Sequence, residues 1–341
     1  MTEPAPAVAA DDYDYDRKRL RAKLATVSQE PGSAKPQPIL SVDHIVRRFG
    51  GVTACDVDHL EVQRGAITAL IGPNGAGKTT FFNLITGFDR PSSAKPRFAS
   101  SGGEHAEWRF QDRTLTATSA FRVARAGMVR TFQLTKALSR MTVMDNMLLG
   151  AQDQPGERFL SALVRPTWTK REQEIRGKAE EILSRFTLDE KKDDYAGSLS
   201  GGQRKLLEMA RALMSDPAMI MLDEPMAGVN PALTQSLLGH IESLRDNGTT
   251  VLFVEHDMHM VRHISDWVVV MAEGRIVAEG PPTTVMRHQA VVDAYLGSHH
   301  DQDLGDDAVL EEDFGAAVAA EEAERAEEPE ATDAAPTEGV R

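Results

Sequence analysis

Residues 72–80 read Gly-Pro-Asn-Gly-Ala-Gly-Lys-Thr-Thr, and this spacing of glycines, lysine and hydroxyls suits holding a polyphosphate and its cation. Gly72, Gly75 and Gly77 let successive backbone N–H groups turn inward around phosphate oxygens, and a following helix adds its positive N-terminal end. Lys78 is expected at the β/γ-phosphates, the Thr79 hydroxyl at Mg²⁺, and Thr80 beside them as a capping or packing residue. Asp223 and Glu224 follow the apolar run 218–222. Adjacent acids at the end of a buried strand suit a Mg²⁺ ligand, direct or through water, followed by a group that polarises an attacking water. His256, just past the apolar run 250–254, is placed to meet a γ-phosphate and to position Glu224 or the water. A second anion-binding helix start is read at Leu199-Ser200-Gly201-Gly202-Gln203, where Ser200 is an N-cap and the two glycines permit close approach.

These groups need strands and helices to deliver them. Residues 66–71 are apolar and β-branched, which predicts a buried strand before the loop, and residues 81–85 continue as a helix. Runs 218–222 and 250–254 predict further buried strands, and 267–271 leads through a Gly274 turn into 276–278 as a closing hairpin. If these strands lie parallel, Lys78 and Thr79, Asp223 and Glu224, and His256 meet at one sheet edge. Residues 170–186 predict a helix burying Ile175, Ala179, Ile182, Leu183 and Phe186, and the helix after Ser200 buries Leu206, Leu207, Ala210, Leu213 and Met214. Asp216-Pro217 ends that helix, Asn230-Pro231 starts another, and a last one is expected near 291–296.

Nearer the amino terminus, strands from Ile39 onward flank a turn at Phe49-Gly50-Gly51. Phe49 either stacks on an adenine ring or packs into the core, and both readings stand at this point. Trp108, Phe110 and Leu115 alternate with polar residues as in an edge hairpin, 120–127 reads as helix, and 128–133 as a strand ending in Gln133. Residues 90–104 read as a surface insertion, 1–37 as a mostly disordered extension, and 299–341 as a disordered acidic tail.

Composition narrows the function classes. The net charge of −14 resides in the tail, where residues 301–341 carry fifteen carboxylates against Arg325 and Arg341 and leave residues 1–300 near −1. No basic stripe for nucleic acid is evident. The longest apolar runs are strand-length, and the amino terminus is acidic where a secretory signal would be basic. Cys55 is the single cysteine, which excludes an internal disulfide framework and suits the cytosol. His259 and His263, spaced i and i+4, lack a third zinc ligand in reach.

The ordered set of motifs resembles the ATP-binding subunits of ABC transporters, from about Ile39 to Gly297. The resemblance implies an α/β P-loop NTPase cassette over 38–298, with a mixed sheet core, an antiparallel β edge and a helical subdomain at about 135–215. It makes Gly72, Pro73, Asn74, Gly75, Ala76, Gly77, Lys78, Thr79 and Thr80 the Walker A nucleotide site. Asp223 and Glu224 end Walker B, His256 is the switch histidine, and Gln133 is the Q-loop glutamine with a catalytic and metal-contacting role. Ser200, Gly201, Gly202 and Gln203 form the signature, which in that family contacts the γ-phosphate held by a second cassette paired head to tail. ATP and Mg²⁺ are the implied cofactors. The implied partners are a second ATP-binding subunit, membrane permease subunits and, indirectly, an extracytoplasmic solute-binding protein, with the chain at the cytoplasmic membrane face. A finer likeness to branched-chain amino acid importers rests on Arg48-Phe49-Gly50-Gly51, Thr86-Gly87-Phe88, residues 129–133, 227–231, Glu255-His256-Asp257-Met258 and Ala294-Tyr295-Leu296-Gly297. Transport of urea, an amide or another polar solute is the alternative within the class, and a soluble ABC ATPase or a regulatory pseudo-ATPase the alternatives outside it.

Overall fold

The computed structural model describes residues 16–92, 106–116, 118–131, 137–152, 166–229 and 231–297. Gln133, Asn230, most of the 90–104 insertion and the acidic tail lie outside the described residues. The chain divides into two units, Met1–Tyr295 and Leu296–Arg341, and the first holds both sheets.

In chain order the elements are α1 (Arg17–Ala25), β1 (Pro38–Phe49), β2 (Val52–Gln63), β3 (Ile67–Ile71), α2 (Lys78–Ile85), β4 (Glu107–Phe110), β5 (Arg113–Thr114), α3 (Ala120–Arg125), β6 (Met128–Arg130), α4 (Val143–Leu148) and α5 (Pro166–Arg185). There follow α6 (Gly201–Leu213), β7 (Met219–Asp223), α7 (Pro231–Asp246), β8 (Thr250–Val254), α8 (Met258–Ile264), β9 (Trp267–Ala272), β10 (Arg275–Gly280), α9 (Pro282–Val285) and α10 (Gln289–Gly297). Among the described residues no helix is long and apolar enough to cross a membrane.

A six-stranded sheet runs β10-β9-β3-β8-β7-β6, parallel from β9 to β6 and closed by antiparallel β10. All five residues of β3, β7 and β8 are buried, as expected of parallel strands covered on both faces. Alternate residues enter different cores. Ile67, Ala69, Ile220, Leu222, Val251 and Phe253 face a helical layer with Val143, Leu183, Leu207, Leu237 and Val261. Leu70, Met219, Met221, Leu252 and Val254 face the opposite core, with Leu40, Leu60, Phe81, Phe82 and Trp108. That second layer is the antiparallel sheet β2-β1-β4-β5 together with α2. The expected 108–115 hairpin is present at its edge, with Trp108 and Phe110 fully buried. Cys55 is buried in β2, and burial together with the Asp56 charge pushes its thiol up to about 12.

The turn joining β1 and β2 takes Gly50 at φ 58, and Phe49 beside it is 50% exposed with the Arg47 guanidinium 4.5 Å from its ring centre. Phe49 is therefore not a core residue.

The expectation of disorder across 1–37 is corrected for residues 16–37. Helix α1 starts on an Asp16 cap and buries Leu20 and Leu24 against the antiparallel side. Asp266, 2% exposed, accepts from Arg17 Nε (3.0 Å), Arg21 Nε (2.8 Å) and the Ile67 backbone N–H (2.9 Å), so one carboxylate ties α1 to the start of β3. Farther on, Lys35 Nζ donates to Glu279 Oε2 at 2.9 Å with both side chains fully buried, and lies 4.6 Å from the Trp267 ring centre. Glu279 also accepts from Ser33 N (2.7 Å) and Trp267 Nε1 (2.9 Å). The segment is thus held by a few polar anchors and two leucines, where the sequence shows chiefly proline and charge.

A buried carboxylate that loses its cation keeps its desolvation cost, so Lys35→Met should destabilise the protein by about 3 kcal/mol. Urea unfolding of both proteins measures this, and a change within about 0.5 kcal/mol would show that the Lys35 anchor is not structural.

Candidate active site

The register of the central strands brings the expected chemistry together. Leu70 in β3 and Asp223 in β7 both lie opposite Val254 in β8, so the loop after Ile71, the acids after Leu222 and the Glu255-His256 step leave the same sheet edge. The phosphate loop is wedged between two backbones. A side chain at Gly72 (φ 149) would meet the Met271 carbonyl oxygen at 2.0 Å, and one at Gly77 (φ 95) the Ala54 carbonyl at 2.4 Å. Gly75 (φ 80) faces open space, which leaves the outer side of the loop accessible. These constraints permit a tight turn only glycine can make.

Helix α2 starts at Lys78, whose Nζ donates to the carbonyls of Gly72 (2.5 Å) and Pro73 (2.9 Å). Burial lowers its pKa below the ordinary lysine value, opposed by the charges of Glu224 and Asp223. The ammonium is therefore held across the loop mouth, within reach of the charges of Asp223 and Glu224. Thr79 is exposed beside it.

Asp223 is 5% exposed and already faces a cation: Arg130 Nη2 donates to Oδ2 at 2.6 Å, while Arg130 Nη1 donates to Asn83 Oδ1 on α2 at 2.6 Å. This arrangement tests the fit of a metal there. The Asp223 carboxylate and the Thr79 hydroxyl, carried to one sheet edge by β7 and by the loop after β3, are oxygen donors of the kind Mg²⁺ takes. Glu224, one residue on, is half-buried and sits in the left-handed region at φ 47, its N–H donating to Val254 O at 3.0 Å. A glutamate in that conformation costs of order 1–3 kcal/mol, and such strain concentrates at working sites. A cavity of about 20 Å³ behind the two acids, lined in part by Thr131, Glu208 and Lys205, has room for about one water.

His256 stands at the same edge with its side chain 71% exposed and Nδ1 3.8 Å from Glu255 Oε2, beyond hydrogen-bond range. Helix α6 begins as the sequence suggests. Gln203 N donates to Ser200 Oγ at 3.2 Å and Ser200 N to Gln203 Oε1 at 3.0 Å, a reciprocal capping box. The two signature glycines differ: Gly201 is exposed with open space about it, whereas Gly202 is buried against Leu233 and Val229. Arg130 and Asn83 are the site residues that motif reading missed. The only local signal was a charged residue in an otherwise apolar strand, and its partner is 93 positions away.

A family model described as ABC transporter matches residues 55–227. The chain is 39% identical over 260 residues to a probable branched-chain amino acid transport ATP-binding protein, LivG, of Archaeoglobus fulgidus, covering 76% of this chain and 96% of that protein. The chain belongs to the ABC-transporter ATP-binding family. A second model, described as branched-chain amino acid ATP-binding cassette transporter, matches residues 275–301. The high-affinity branched-chain amino acid transport ATP-binding protein LivG of Escherichia coli K12 is 38% identical over 263 residues, 76% of this chain and 98% of its own length. Among solved structures, an ABC-transporter cassette in its ADP conformation is 37% identical with a TM-score of 0.64, covering 76% of this chain and 99% of that one. The α/β ABC cassette expected from the motifs is the fold observed.

In this ABC cassette Arg130 compensates a buried carboxylate. Arg130→Met should lower the stability of the metal-free, nucleotide-free protein by about 3 kcal/mol, and Mg²⁺ with nucleotide should recover more stability than in wild type. Denaturant titrations with and without Mg–ADP read both effects, and an unchanged nucleotide-free midpoint would refute the compensation.

Proposed function

We propose that this chain is the ATP-hydrolysing subunit of a membrane importer whose solutes are branched-chain amino acids. The observation that carries the ATPase reading is the meeting of Lys78, Asp223 and Glu224 at one strand edge beside the glycine loop. The solute class rests on the match of residues 275–301 and on the LivG relatives.

Lys78 and the loop N–H groups of residues 74–79 bind the β/γ-phosphates. Thr79 and Asp223 would hold Mg²⁺, which when bound would neutralise phosphate charge. Gln133, the Q-loop glutamine by motif order, would contact the metal and take part in catalysis. Glu224 accepts the water's proton through its carboxylate while Lys78 stabilises charge on the phosphate side. His256 is exposed at the edge, free to meet the γ-phosphate. Phe49 is exposed and available for the adenine ring. Ser200, Gly201, Gly202 and Gln203 begin a capped helix that serves the nucleotide of a second ATP-binding subunit, so two chains complete two sites. Permease subunits hold the pair at the cytoplasmic membrane face, a solute-binding protein delivers the cargo, and nucleic acid has no part. The cassette spans 38–298 with its helical subdomain at about 135–215, as the order of the motifs implies.

Glu224→Gln should keep nucleotide affinity and reduce hydrolysis by about 10²–10⁴-fold, because phosphate contacts survive while proton acceptance does not. The variant should accumulate as an ATP-bound dimer on size exclusion, and a monomer with normal turnover would sink the assignment. For the solute, proteoliposomes holding this chain with its permease subunits and binding protein should take up leucine, isoleucine or valine with ATP inside. Uptake of urea or amides in place of these would overturn the solute class.

A further inference from the structure

The turn that carries Glu224 is gripped from both sides by side chains of opposite charge. From α6, Lys205 Nζ donates to the carbonyl oxygens of Glu224 (3.1 Å), Pro225 (3.1 Å) and Ala227 (2.5 Å). An ammonium has three donors, and here three successive contacts fall on one turn. From the end of β8, Glu255, 1% exposed, accepts the Met226 N–H through Oε1 at 2.9 Å. The turn therefore has its carbonyls drawn toward a cation and its interposed N–H toward an anion. Between these grips lies a backbone that does not hold itself cheaply: Glu224 at φ 47 and Gly228 at φ 71, closed by Ala227 N to Glu224 O at 3.2 Å.

We propose that Lys205 and Glu255 are positioning residues, a charged clamp that holds Glu224 in its working conformation and ties it to the helix that begins at Ser200. The proposal rests on Glu224 being the proton acceptor, as argued above. Neither residue touches phosphate in this scheme. Burial pushes Lys205 below the ordinary lysine value, while Glu255, Glu208 and Glu224 favour its charged form. A charge-assisted hydrogen bond is roughly twice as strong as a neutral one, so four of them can offset the strain of a left-handed glutamate. Lys205 and Ser200 lie near one end of a single thirteen-residue helix. A shift of the signature serving one nucleotide is thus carried to the turn that serves the other.

The test compares variants that remove the grip with variants that keep its bonds. Lys205→Met and Glu255→Ala should each reduce kcat by about 10- to 100-fold, because a misplaced base costs that much without altering ground-state binding. KM and the affinity for a fluorescent ADP analogue should stay within about threefold of wild type. Lys205→Arg and Glu255→Gln, which still reach the carbonyls and the Met226 N–H, should recover most of the rate. The double variant Lys205→Met/Glu255→Ala should lose less than the product of the single losses, since both act on one turn. Full turnover in Lys205→Met, a rise in KM at constant kcat, or loss of rate that Arg does not restore would each overturn the clamp. Failure of the underlying reading looks different: Glu224→Gln would itself keep normal turnover. If Glu224→Gln is inactive while Lys205→Met turns over normally, the clamp alone is wrong. Circular dichroism melts of all variants separate a loss of rate in folded protein from unfolding, and if Lys205→Met does not fold, the Glu255 pair decides.

Discussion

Everything at the site depends on the register of the parallel strands. With Leu70 and Asp223 both opposite Val254, three chain segments far apart in sequence leave the sheet at one height. Parity fixes the side as well. Met219 and Met221 face the core containing Phe81 and Phe82, so Asp223, two residues further, faces the same layer and meets Arg130 and Asn83 there. A slip of one residue in β7 would turn that carboxylate toward the helical layer, and a buried apolar face on each side makes such a slip costly.

Charge inside this fold is arranged as closed local sets. Arg130 faces Asp223, Lys35 faces Glu279, and Asp266 takes two arginines and a strand N–H. Such pairs seldom add stability over an apolar replacement, yet breaking one leaves an uncompensated charge. Each joins elements from separate parts of the chain: α1 to β3, the approach to β1 to β10, and β6 to β7 and α2. The helical layer packs through broad apolar stripes.

The strands and the glycine loop were legible in the sequence because their signals are local. β3, β7 and β8 are short runs of mostly apolar residues, and Ser200 with Gln203 spells a capping box within four residues. What was not legible depends on distant partners. Residues 16–37 look like a polar extension since their anchors, Asp266 and Glu279, lie some 245 positions away. Arg130 reads as an ordinary charge at a strand end until β6 pairs with β7. The left-handed glutamate at 224 has no sequence signature at all, because its conformation is imposed by the groups packed about it.

The lone cysteine has a practical meaning. Thiol reagents attack the thiolate, and with Cys55 buried in β2 and its thiol pushed up to about 12, little of it is ionised at neutral pH. The native fold is therefore expected to react slowly with maleimides. A reporter thiol introduced on the exposed Gly201 side of the signature, or on the outer rim of the phosphate loop, would carry a fluorophore or spin label alone. In the proposed pairing, the separation of two cassettes could then be followed by distance, with the natural residue left in place.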